Sequence, residues 1–123
     1  MLAAVHDFII EQGQDWERKV KWCDSSGTSK NLSSGYTATL TIRPYYGHTG
    51  AAIEKISNGA GITLASTGWN ITLNLTNAET AALDFVRAVY VLEVIYTTPN
   101  PDVNSRILQG SVFLQKDSTD VEP

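Results

Sequence analysis

The side chains alternate. From position 36 to 43, Tyr36, Ala38, Leu40 and Ile42 fall on one side of an extended chain, and Thr37, Thr39, Thr41 and Arg43 on the other. A period of two marks a half-buried β-strand, and the β-branched residues reinforce it. Trp69, Ile71, Leu73 and Leu75 repeat the pattern opposite Asn70, Thr72, Asn74 and Thr76. Val20 and Trp22 repeat it more briefly, opposite Lys19 and Lys21. With Tyr90 and Leu92, the two long apolar sets predict one shared core. The segment 86–97 differs, because Ala88, Tyr90, Leu92 and Val94 face one way while Val89, Val91 and Ile95 face the other. A run this apolar predicts a central strand covered on both sides, its outer face available to another subunit. The last strand, 106–116, carries Ile107 and Phe113 on one face and Leu108, Val112 and Leu114 on the other. Shorter strands are expected at 8–11, 53–56 and 62–65.

Turn residues separate these runs. Asp24-Ser25-Ser26-Gly27 and Ser33-Ser34-Gly35 bracket a loop; 47–50, Asn58-Gly59, Gly61 and Thr67-Gly68 mark further turns. Pro99-Asn100-Pro101-Asp102 ends the central strand, since proline cannot donate to a ladder. Thr76 or Asn77 is placed to cap a short helical piece over 78–83, with Glu79 in its first turn. About seven or eight short strands at this spacing, with one short helix, predict an all-β domain, an immunoglobulin-like antiparallel β-sandwich. It spans 1–116 as a single domain, followed by a loose acidic tail at 117–123.

Composition narrows the function. A chain of 123 residues is one domain's worth and can build a core without disulfides. The single cysteine, Cys23, allows no intramolecular disulfide. A net charge of −4 argues against a nucleic-acid partner. The one basic run, Arg18, Lys19 and Lys21 interleaved with Trp16 and Trp22, reads as a solvated strand face. No apolar run reaches the roughly 18 residues of a membrane span, and the first ten residues lack the basic start of a secretory signal. The expectation is a product used where it is made or carried out within a larger particle.

Candidate chemistry is thin. His6 and His48 are the only histidines, and no two ligand-type residues sit at zinc spacing. No nucleophile elbow occurs, and nothing singles out Asp84 or Glu93 as paired acids. Gly59-Ala60-Gly61 lacks the helix and lysine of a phosphate loop. No catalytic residue, metal or cofactor is expected. Among the aromatics, Trp22, Tyr36, Trp69 and Tyr90 lie on apolar faces and are assigned to the core. Tyr45 and Tyr46, after Pro44 in an expected loop, are the better exposed contacts.

The order Asp7-Phe8-Ile9-Ile10-Glu11-Gln12-Gly13, then Trp16 to Trp22, then Asn31-Leu32-Ser33-Ser34-Gly35-Tyr36-Thr37-Ala38 with Ile42-Arg43, resembles a family of small virion proteins of tailed bacteriophages. The stretch Ser105-Arg106-Ile107-Leu108-Gln109-Gly110-Ser111-Val112 resembles the last strand of the same family. The layout is also similar to the N-terminal domain of upper baseplate proteins. The likeness covers nearly the whole chain as a pattern of strands and turns. Its most specific parts are Gln109-Gly110 and the Leu32 to Thr37 stretch. It implies a structural virion protein of the tail, baseplate, fibre junction or capsid surface, with no catalytic residues to carry over. Its partners would be other virion proteins and copies of itself in a homo-oligomer, without nucleic acid or membrane. It would be made in the host cytoplasm and reside in the virion. The 44–50 loop is a departure from the family pattern. The expected partner contacts are Tyr45, Tyr46 and the outward residues Val89, Val91, Val112 and Leu114. The alternative is a carbohydrate-binding or receptor-binding module, which exposed aromatics ordered in a groove would favour; a small hydrolase would need an acid/base cluster in a cleft.

Overall fold

In the computed structural model, which describes residues 4–97 and 103–116, the chain runs through β1 (Ala4–Val5), β2 (Phe8–Glu11), β3 (Trp16–Val20), β4 (Tyr36–Arg43), β5 (Glu54–Asn58), β6 (Gly61–Leu64), β7 (Ile71–Leu75), α1 (Asn77–Ala81), β8 (Arg87–Tyr96) and β9 (Val103–Gln115). The expected turn at 99–102 and the tail at 117–123 lie outside the described residues. The all-β class with one short helix is as the pattern predicts.

The strands form one curled sheet in the order β1-β9-β8-β4-β5-β6-β7-β3, with β2 continuing β1 along β9. As expected, β8 is central, held by β4 on one side and β9 on the other. The sheet is mixed rather than purely antiparallel: β1 and β2 run parallel to β9, and β5 runs parallel to β6. Alternation is blind to strand direction, so it could not register this. The β5–β6 contact covers only two register pairs and spans two connecting residues, far fewer than a parallel crossover needs. Gly59 and Gly61 make it possible by taking φ of 83° and 105°. The sheet's curl brings β2 and β3 toward each other, where Phe8 and Trp16 meet edge to face at 5.3 Å.

The core comprises the inward residues of this curl. Ala38, Leu40, Ile42, Ile71, Leu73, Leu75, Tyr90 and Leu92 are buried together, as the alternation predicts, and Tyr36 packs half-buried against them. Trp69 does not join them and is 60% exposed. The chain bends at 66–69 before β7 begins, so Trp69 swings out and Asn70 is buried in its place. Its amide is fully satisfied locally: Trp22 N–H donates to Oδ1, and Nδ2 donates to the carbonyls of Trp22 and Lys30, each at 2.8 Å. Buried polar groups persist only with such partners.

Val112 and Leu114 are a second correction. Both face the core, 1% and 7% exposed, opposite Phe8 and Ile10 of β2. β2 pairs beside β9 in the same sheet, so Phe8 and Ile10 share the inward face with Val112 and Leu114, and the curl closes over all four where the sequence left that face to a neighbour. A register shift at Leu92/Glu93 inserts Ile107, so Ile107 and Leu108 are both buried. Further along β9, Gly110 pairs with Tyr90, and a Cβ there would collide with the His6 carbonyl. The missing side chain lets Tyr90 pass over β9, donate from its hydroxyl to the His6 carbonyl and stack on Phe8 at 4.5 Å.

The helix signal was local and correct. Thr76 Oγ1 accepts from Glu79 N–H while the Glu79 carboxylate accepts from Thr76 N–H, a complete capping box. Buried Thr80 ties α1 to the 12–15 turn, accepting from Gly13 N–H and donating to the Gln14 carbonyl. This turn and helix close one end of the curl.

Candidate binding groove

The outer face of β4 presents Thr39, Thr41 and Arg43, and that of β8 presents Val89, Val91 and Glu93. The 44–50 loop folds back over them. Arg43 Nη1 donates to the Gly50 carbonyl at 2.7 Å, which ties the loop's far side to its start. Tyr46 reaches across to β9, where its hydroxyl donates to the Gly110 carbonyl at 3.1 Å. Tyr45 meets the His48 ring edge to face at 5.2 Å. A groove of about 300 Å³ results, walled by Tyr45, Tyr46 and His48, with Arg106 of β9 on its border.

The groove gathers four of the expected contact residues. Tyr45 and Tyr46 remain 60% and 52% exposed. Val91 is half-buried, while Val89 is only 9% exposed, because its own chain covers it. Val112 and Leu114 are absent from it, being in the core. The alternation put Thr39, Thr41 and Glu93 on an outward face but offered no reason to single them out, and Arg43 and Arg106 were likewise unmarked. What joins them is the fold-back of the loop.

Burial raises the hydroxyl pKa of Tyr90 well above the ordinary tyrosine value, and the nearby Tyr46 and Asp7 add to the rise. The phenol is thus a structural donor to the His6 carbonyl. His48 Nδ1 is buried without a hydrogen-bond partner, and among the described residues neither a serine nor a carboxylate bonds to this ring. No three His, Cys, Asp or Glu side chains among the described residues are grouped to hold a metal. Asp84 pairs with Lys116 at 2.6 Å on the surface, and that bond lowers its carboxyl pKa.

A second surface lies at the β1/β2 edge. Ile9 pairs with Phe113, both on the outer face, and they are 56% and 40% exposed. Val5 and Val86 are also exposed. The Arg87 guanidinium lies 6.0 Å from the Phe113 ring and donates to Ser111 Oγ. The opposite edge, β3, differs: it displays Glu17, Arg18 and Lys19, and with Lys21 just beyond it the basic run Arg18, Lys19 and Lys21 is exposed as the sequence predicts. Among the described residues no helix is long and apolar enough to cross a membrane.

No protein-family model matches the chain, and no curated protein matches it.

Proposed function

We propose that the chain is a non-catalytic assembly or attachment module, a structural protein of a tailed-bacteriophage virion located in the tail, baseplate, fibre junction or capsid surface. The observation that carries this reading is the contrast between the two sheet edges. Edge strands invite pairing, and chains that keep an edge free usually charge it. β3 is charged in this way, whereas the β1/β2 edge displays Val5 and, further along, Ile9 paired with Phe113. Grouped exposed apolar residues mark interaction surfaces. The partners on this reading are other virion proteins and further copies of the chain, related by symmetry. Neither nucleic acid nor membrane is required, and the protein resides in the virion after synthesis in the host cytoplasm. The finer fold assignment, an immunoglobulin-like sandwich, belongs to the same proposal; it is supported by the way β2 and β3 face each other through Phe8 and Trp16 across one core.

Pairing Ile9→Asp with Phe113→Ser tests the reading. A stable contact buries on the order of 1,200–2,000 Å² in total, and a charge at its centre should abolish incorporation into particles while the isolated chain melts as before. Full incorporation of the double variant, or absence of the wild-type chain from purified virions, would refute it.

The groove favours a second reading, a carbohydrate-binding or receptor-binding module. Its basis is that Tyr45 and Tyr46 stand exposed, and pinned by their own contacts, beside a concave floor that Thr39 and Thr41 share with Val89 and Val91.

A further inference from the structure

We infer that the groove under the 44–50 loop binds a sugar that bears a carboxylate, an inference that rests on the second reading above. The first support is the wall. Tyr45 is 60% exposed, and the loop carrying it is already tied down at Gly50 and Gly110. A pre-positioned aromatic offers the C–H face of a pyranose an apolar surface with little ordering cost on binding.

The second support is the floor. Thr39 and Thr41 line it, and neither hydroxyl has a side-chain hydrogen bond among the described residues. Both are half-buried, so a ligand with several hydroxyls can satisfy them while displacing water. The volume of about 300 Å³ lies at the small end of ligand sites, which span roughly 300–1,000 Å³. It suits one terminal sugar or a disaccharide rather than a long chain.

The third support is charge. Arg43 and Arg106 line the groove against a single carboxylate, Glu93, in a chain whose net charge is −4. Glu93 and Arg106 are register partners across β8 and β9, yet the one ion pair among the described residues is Lys116 with Asp84. The Arg106 fork is therefore available to a ligand carboxylate, which guanidinium groups bind in bidentate fashion. Glu93 is left to accept from sugar hydroxyls. A phosphate dianion suits the site less, because its second charge doubles the repulsion from Glu93 and the Tyr45 ring would cover nothing.

The test titrates the full chain with digalacturonate and with its neutral counterpart, digalactose, following amide chemical shifts. Digalacturonate should bind about tenfold more tightly, the factor that one charge-assisted hydrogen bond supplies. Tyr45→Ala should weaken binding by a similar factor, and Tyr45→Phe should restore it. Arg106→Gln should erase the preference for the acid. Both positions are exposed, and an unchanged melt verifies each variant's fold. Equal binding of the two sugars would overturn the inference and leave the second reading standing. Binding of neither would overturn the inference as well. Binding indifferent to Tyr45→Ala and Arg106→Gln would also overturn the inference, by moving the ligand elsewhere.

Discussion

Replacing Asn70 tests how a buried polar side chain anchors the 21–30 loop. Asn70 is fully buried, and its amide makes three hydrogen bonds of 2.8 Å to the backbone of Trp22 and Lys30. Each such bond is worth about 1 kcal/mol net. Trp22 and Lys30 are half-buried, so water can recover part of what Asn70→Leu removes. The expected loss is therefore about 2–4 kcal/mol, with the unpaired Trp22 N–H the most costly remnant. Urea unfolding should show a lower midpoint at unchanged m-value. Amide exchange at Trp22 should accelerate more than exchange in β8, because the loop opens locally before the core does. Leucine keeps the forked shape of the side chain but is bulkier, so overpacking can only add to the loss. A leucine variant within about 0.5 kcal/mol of wild type would mean that Asn70 merely fills space, and the anchoring account would fail.

Two further outcomes follow from the core. Leu73→Ala should cost about 2–5 kcal/mol by urea unfolding, since Leu73 is wholly buried; a loss well under 1 kcal/mol would contradict its place there. Tyr90 has a hydroxyl pKa raised in the folded state, so the protonated form favours folding. Its contribution is fully present below the unfolded tyrosine value, about 10, and is lost as pH rises beyond it. The urea midpoint should fall through that window in the wild type, and the fall should be shallower in Tyr90→Phe; parallel curves would refute the assignment.

Much of the local structure was legible without coordinates. The Tyr36 to Ile42 alternation became β4, 8–11 became β2, and the Thr76/Glu79 pair capped α1. These are properties of neighbouring residues along the chain, set by backbone geometry and short-range hydrogen bonds. The turn signal at Asn58-Gly59 and Gly61 was equally local, although nothing in it disclosed that the flanking strands pair in parallel.

The candidate groove was only half legible. Tyr45 and Tyr46 were marked by residue type and by their loop context. Their relation to Arg43, Glu93 and Arg106 depends on a loop that turns back on its own sheet, through one phenol bonded to a carbonyl 64 residues away. The same limit explains the errors. A period of two groups Leu108, Val112 and Leu114 on one face, yet which face is inside depends on the direction in which the whole sheet curls. Trp69 shares its phase with Ile71, yet a bend between them puts Asn70 in the core, where backbone groups from both ends of the 21–30 loop meet it. The sequence by itself determined which side chains travel together, because pleating is local. The tertiary structure decided which of those sets is buried and what stands beside it, because burial is a property of two surfaces and the second is supplied by residues distant in the chain.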